Sequence, residues 1–116
     1  MLFWVNGKTR PSDKVFIMGD FNSEPVSVGY RNCIEAGYKS TYKEVHGSEP
    51  SPGTWPTGLQ AEFMDAGDPM ILDYIFYRGP ETLRPVSAEQ QGITQAPNDA
   101  TLYPSDHSAI VCEFEY

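Results

Sequence analysis

The stretch Phe16-Ile-Met-Gly-Asp-Phe-Asn-Ser-Glu-Pro25 constrains the fold more than any other. An apolar run, Lys14 to Met18, passes directly into a turn that carries a carboxylate and a carboxamide two residues apart. Such a run reads as a central strand covered on both faces. Asp20 and Asn22 then sit at its C-terminal end, where α/β sheets place their ligand sites.

Other segments follow from local pattern. Residues 1–8 read as the last turns of a helix that starts before Met1 and ends near Gly7. Ser27 is placed to cap a short helix over Val28–Glu35, with Gly37 beyond its end. Lys39 to Val45 has the alternation and the β-formers of a strand. Met70 to Tyr77 is the most strand-like run of all. Thr82 to Ala88 is a weaker strand that Pro85 assigns to an edge, and Ser108 to Glu115 closes the chain as another. Two long loops, 46–69 and 89–104, separate these elements, and loops of that length in a compact domain carry function or move. No repeat, low-complexity tract or linker interrupts the chain.

The 116 residues suffice for one domain with a real core. A formal net charge of -8 disfavours a groove-filling contact with duplex DNA, which calls for Lys and Arg against phosphates. The same acidity suits a divalent cation that bridges carboxylates to an anionic substrate. Cys33 and Cys112 match no metal spacing and no disulfide framework, which favours a reducing, cytoplasmic setting. No apolar run approaches membrane-spanning length.

Several residues can carry chemistry. Asp73 interrupts the apolar run Ile71-Leu-Asp-Tyr-Ile-Phe76. A carboxylate there is costly unless it is paired and hydrogen-bonded, which favours pairing over a solvated strand face. The natural partner is Ser105-Asp106-His107, a turn just before the last strand. A carboxylate that accepts from one imidazole nitrogen fixes the tautomer and leaves the other nitrogen for a phosphate or a proton. Asp106 is a hard oxygen ligand for Mg²⁺ or Mn²⁺. Asp20-x-Asn22-x-Glu24 imitates the start of a calcium loop, but Pro25 stands where glycine is needed and Arg31 where glutamate is needed. A glycine-rich phosphate cradle fails too, since Gly19 stands alone. His46 reads as a solvated loop histidine. Trp55 either stacks on a substrate base or caps the core.

Taken in order, Gly19-Asp-Phe-Asn22, Leu72-Asp-Tyr-Ile75 and Ser105-Asp-His107 resemble the endonuclease/exonuclease/phosphatase (DNase I-like) superfamily. Gly53-Thr54-Trp55 also resembles a position that the family fills with Thr and an aromatic. The resemblance spans nearly the whole chain but only the C-terminal half of the family domain. It implies an α/β fold: half of a four-layer α/β sandwich, mostly one mixed β-sheet with one or two helices on its outer face. It also implies a metal-dependent phosphodiesterase or phosphatase that works by water attack.

By that resemblance, Asp20 positions or activates the water, Asn22 hydrogen-bonds the scissile phosphate, and His107, oriented by Asp73, contacts the phosphate and assists proton transfer. Asp106 and Asp20 are the implied ligands of Mg²⁺ or Mn²⁺. Asn22, Trp55 and His107 are the implied substrate contacts. The family's Asn, metal-binding Glu and second His find no counterpart before Gly19. The expectation is therefore a catalytically incomplete half, completed by a missing N-terminal half or prone to self-association. The alternative is a non-catalytic interaction module that keeps the motifs. The expected substrates are nucleotides, RNA ends or phospholipid headgroups rather than duplex DNA.

Overall fold

A computed structural model describes residues 1–57, 67–100, 102 and 104–116; parts of both expected long loops, residues 58–66, 101 and 103, lie outside the described residues. The elements in order are α1 (Leu2–Lys8), β1 (Val15–Asp20), α2 (Val28–Glu35), β2 (Lys39–Ser40), α3 (Thr41–His46), β3 (Asp73–Arg78), β4 (Arg84–Gln91) and β5 (Ala109–Glu115). The class is α/β. The strands, expected mostly in one mixed sheet, divide into two antiparallel sheets, β1-β3-β2 and β4-β5.

β3 is the central strand, which corrects the reading of β1. Among the described residues β1 lies at an edge of its sheet, with one face covered and the other only partly so. Period-2 alternation explains why. Val15 and Ile17 turn toward the core of Tyr30, Cys33, Tyr38, Tyr74 and Phe76, with Leu2 and Val5 of α1 packed against it. Phe16 and Met18 turn to the opposite face and are 39% and 63% exposed. An apolar run reports burial potential on both faces but not whether both are covered. Phe114 of β5 covers part of that second face, meeting Phe16 and Tyr77 edge to face at 4.9 and 5.2 Å.

The core is largely aromatic, and its hydroxyls are satisfied. Tyr30 donates to Glu49 Oε1 at 2.7 Å, and Tyr38 donates to Asn6 Oδ1 at 3.0 Å, tying α1 to the sheet. Glu49 also accepts from Ser40 Oγ at 2.9 Å, so one carboxylate links α2 to β2.

The expected strand over Lys39–Val45 is a two-residue strand followed by a helix. Lys39 and Ser40 pair with Tyr77 and Phe76. Thr41 would continue the ladder opposite Ile75, but its hydroxyl donates to Ile75 O at 2.9 Å instead. That bond satisfies the β3 carbonyl and frees the backbone to coil. Gly47 ends the helix in the left-handed region, φ 80°, with its N–H on Lys43 O. His46 correspondingly closes α3 rather than lying free in a loop: its Nε2 is 2.7 Å from Ala88 O and its ring lies 4.4 Å from Tyr42.

Elsewhere the sequence reading holds closely. Ser27 caps α2 by accepting from Tyr30 N–H at 3.4 Å. β4 is an edge strand whose register shifts between Pro85 and Ser87, where proline has no N–H to give. It runs to Gln91, three residues past the expected end. α1 continues through Gly7 to Lys8. Both cysteines are free.

Candidate active site

The antiparallel register places Asp20, the last residue of β1, directly opposite Asp73, the first of β3. Two carboxylates in that position repel, so the pairing calls for a donor or a cation nearby. His107 supplies it. Its Nδ1 lies 2.8 Å from Asp73 Oδ2, with both side chains largely covered, 28% and 17% exposed. Because a carboxylate only accepts, Nδ1 carries the proton, and Nε2 remains for another partner.

Burial works against a charged imidazole at His107, but the Asp73 hydrogen bond and the charges of Asp73, Asp20 and Asp106 outweigh it. The net effect raises the His107 pKa above its ordinary value. The surroundings therefore favour the doubly protonated ring.

The turn after β1 is locked to its own carboxylate. Asn22 donates its backbone N–H to Asp20 Oδ1 at 2.7 Å and its side-chain Nδ2 to Oδ2 at 3.2 Å. Asn22 takes φ 46°, which asparagine tolerates better than most residues. Two anchors hold this turn to β3. Phe21 N–H donates to Leu72 O at 2.8 Å, and the buried Tyr74 hydroxyl is shared between Ser23 O at 2.8 Å and Ile71 O at 2.7 Å.

Asp106 is half-buried, with Oδ2 accepting the Trp55 indole N–H at 3.3 Å. The Trp55 and His107 rings lie 6.5 Å apart, tilted by 46°. Trp55 thus stands beside the site and spends its one polar group on Asp106. These contacts bring Asp20, Asn22, Asp73, Asp106, His107 and Trp55 into one cluster.

Sequence reasoning marked Thr54 only as part of the Gly53-Thr54-Trp55 resemblance and missed Ser108, and it gave neither residue a role in holding the site in place. Thr54 and Ser108 are buried at 0% and 3% exposure. Thr54 Oγ1 accepts from the backbone N–H of Leu72 and of Asp73, and Ser108 N–H donates to Thr54 O at 2.8 Å. A hydroxyl residue wedged between a glycine and a tryptophan was the available signal. Gly53 is required by close approach, because a Cβ there would lie 2.6 Å from Met70 O.

Asp20 and Asp106 offer hard oxygens of the kind Mg²⁺ or Mn²⁺ takes. Their number falls short: among the described residues no group of three His, Cys, Asp or Glu side chains comes together to hold an ion. Asp20 also already accepts two bonds from Asn22, and Asp106 one from Trp55. The described residues alone do not make a metal site.

Residues 1–107 match the family model described as the Endonuclease/Exonuclease/phosphatase family, and the chain belongs to that family. It is 32% identical over 122 residues to Nocturnin of Xenopus laevis, covering 97% of this chain and 29% of that protein. It is 30% identical over 112 residues to Nocturnin of Homo sapiens, covering 88% of this chain and 24% of that one. The chain therefore spans roughly a quarter of the length of these curated relatives. An endonuclease/exonuclease/phosphatase family protein from Leptotrichia buccalis C-1013-b shares the fold, with TM-score 0.66 and 22% identity over 99% of this chain and 41% of that one. The family is one of phosphodiesterase and nuclease-type hydrolases, and its enzymes generally depend on a divalent metal.

Proposed function

We propose that this chain forms the phosphate-binding wall of a phosphate-ester hydrolase, with Asp20, Asn22, Asp73 and His107 as its working groups. The observation that carries the reading is the 2.8 Å Asp73–His107 bond set directly across from Asp20. Asn22 Nδ2 has two hydrogens and spends one on Asp20, so the other is available to a phosphate oxygen. His107 Nε2 provides a second donor. Donors held in place before charge builds on the phosphate stabilise the transition state. Asp20 keeps lone pairs beyond its two bonds to Asn22 and takes the proton from an attacking water. The water oxygen–phosphorus bond forms as the phosphorus–leaving-oxygen bond breaks, and the Nε2 proton of His107 passes to the departing oxygen. Asp73 stabilises the imidazolium before that transfer.

Asp106 and Asp20 are the residues that would hold a divalent cation, Mg²⁺ or Mn²⁺, which would neutralise phosphate charge. The net charge of -8 and the Trp55 ring beside His107 favour a nucleotide, an RNA end or a phospholipid headgroup over duplex DNA. With two carboxylates for the metal, the isolated chain is expected to hydrolyse little.

Binding is the direct test. Titration with a nucleoside monophosphate and Mg²⁺, followed by NMR, is expected to move the Asn22 side-chain amide and the His107 ring signals together. His107→Ala and Asn22→Ala should each abolish the response of the remaining partner. Signals that stay still at saturating nucleotide, phosphodiester and headgroup alike would leave the interaction-module reading in its place.

A further inference from the structure

Residues 53–57 touch both sides of the candidate site, and Thr54 lies at the centre of that grip. Its side chain is fully buried and its Oγ1 accepts from Leu72 N–H at 2.9 Å and Asp73 N–H at 3.1 Å. A hydroxyl oxygen has two lone pairs, and both are engaged at the entry to β3. The backbone carbonyl of the same residue accepts from Ser108 N–H at 2.8 Å and from Ser108 Oγ at 3.3 Å. One residue is thus bonded to Asp73 on one side and to the neighbour of His107 on the other.

The surroundings reinforce the grip. Gln90 of β4 donates through Nε2 to Gly53 O at 2.6 Å and to Ser108 Oγ at 2.7 Å. Thr57 N–H donates to Asp106 O at 2.9 Å, next to the Trp55 bond to the Asp106 carboxylate. The turn of residues 105–107 is a polar connection with no helix or strand of its own, and it leads into the buried Ser108. Its placement against β3 therefore depends on this segment.

We propose that Thr54 is the positioning residue of the site: its buried hydroxyl and carbonyl set the distance between Asp73 and His107. The proposal rests on reading Asp73 and His107 as a working pair, but its test needs no phosphate and no turnover. A purely structural Thr54 would lower stability when replaced and leave the pair's geometry alone. A positioning Thr54 would loosen the pair while the chain remains folded.

The readout is the downfield NMR signal of the His107 Nδ1 proton, which lies in the bond to Asp73. Thr54→Val keeps the shape and removes the acceptor, and Thr54→Ser restores it. In Thr54→Val the ring proton is expected to exchange with water about tenfold faster or more, the scale of losing one modest interaction, and to shift upfield. Thr54→Ser should return both properties to those of the parent. A folded Thr54→Val chain whose ring proton is unchanged overturns the proposal. Should Thr54→Val not fold, Ser108→Ala decides, since it removes the hydroxyl that donates to Thr54 O and accepts from Gln90 Nε2 while keeping the Ser108 N–H bond. Faster exchange of the His107 proton then supports the proposal, and unchanged exchange refutes it. Phosphate binding failing in the parent chain would sink the hydrolase reading and leave this result intact.

Discussion

Asp73→Asn separates the contributions around the central pair. The change keeps the side-chain shape and a carbonyl acceptor for His107 Nδ1–H, but it removes a charge. A hydrogen bond to a charged group contributes about 1.5–3 kcal/mol and a neutral one about 0.5–1.5, so the direct loss is about 1–1.5 kcal/mol. Against this, Asp20 no longer faces a like charge across the ladder, a relief of about 0.2–1 kcal/mol. The loss wins, but narrowly, and it is largest while His107 is charged.

The pH dependence makes the argument testable. His107 has a folded-state pKa raised above its ordinary value. The stabilisation is then fully present below the unfolded histidine pKa of about 6.5 and is lost as pH rises through the higher folded value. Urea unfolding of the parent, Asp73→Asn, His107→Ala and the double variant gives a coupling energy. It is expected at about 1.5–3 kcal/mol near pH 5.5 and to fall as pH rises through the folded histidine value, where the neutral ring still donates to the ionised carboxylate. A coupling that is absent at the lower pH, or that does not change with pH, would refute the electrostatic account of the pair.

Three further outcomes follow from the geometry. Tyr74→Phe deprives Ser23 O and Ile71 O of their shared donor; it should cost about 1–3 kcal/mol and speed amide exchange at Phe21 and Asn22, whereas exchange unchanged at both would show that the turn does not depend on it. Gly53→Ala drives a methyl to 2.6 Å from Met70 O and should lower stability by about 1–3 kcal/mol, so an unaltered melting temperature would contradict the close approach. Phe16 and Met18 are 39% and 63% exposed, and Met18 lines, with Ile75 and Ile110, a cavity of about 210 Å³. Apolar surface of this kind favours association: light scattering should show species above monomer mass that Met18→Lys reduces, and a dispersed monomer at every concentration would count against it.

Much of the site is legible in the sequence because its residues break local patterns. Asp73 is conspicuous as a carboxylate within an apolar strand, and Asp106-His107 as polar residues at a strand start. The capped helix at Ser27 is legible because capping is local. What stays hidden is set by distant partners. Thr41 to His46 carries β-formers, yet the bond from Thr41 to Ile75 O, 34 residues away, turns the segment into a helix. β1 reads as doubly covered because an apolar run does not reveal which strands flank it. Thr54 is invisible as a positioning residue because its partners lie 18, 19 and 54 residues away.

The most direct measurement of the central claim is an experimental structure of the chain with inorganic phosphate and Mg²⁺. The account expects phosphate oxygens within hydrogen-bond distance of Asn22 Nδ2 and His107 Nε2, with the Asp73–His107 bond kept. Phosphate bound elsewhere, such as among Arg31, Lys39 and Lys43 beside α2 and α3, with Asn22 and His107 empty, would contradict it.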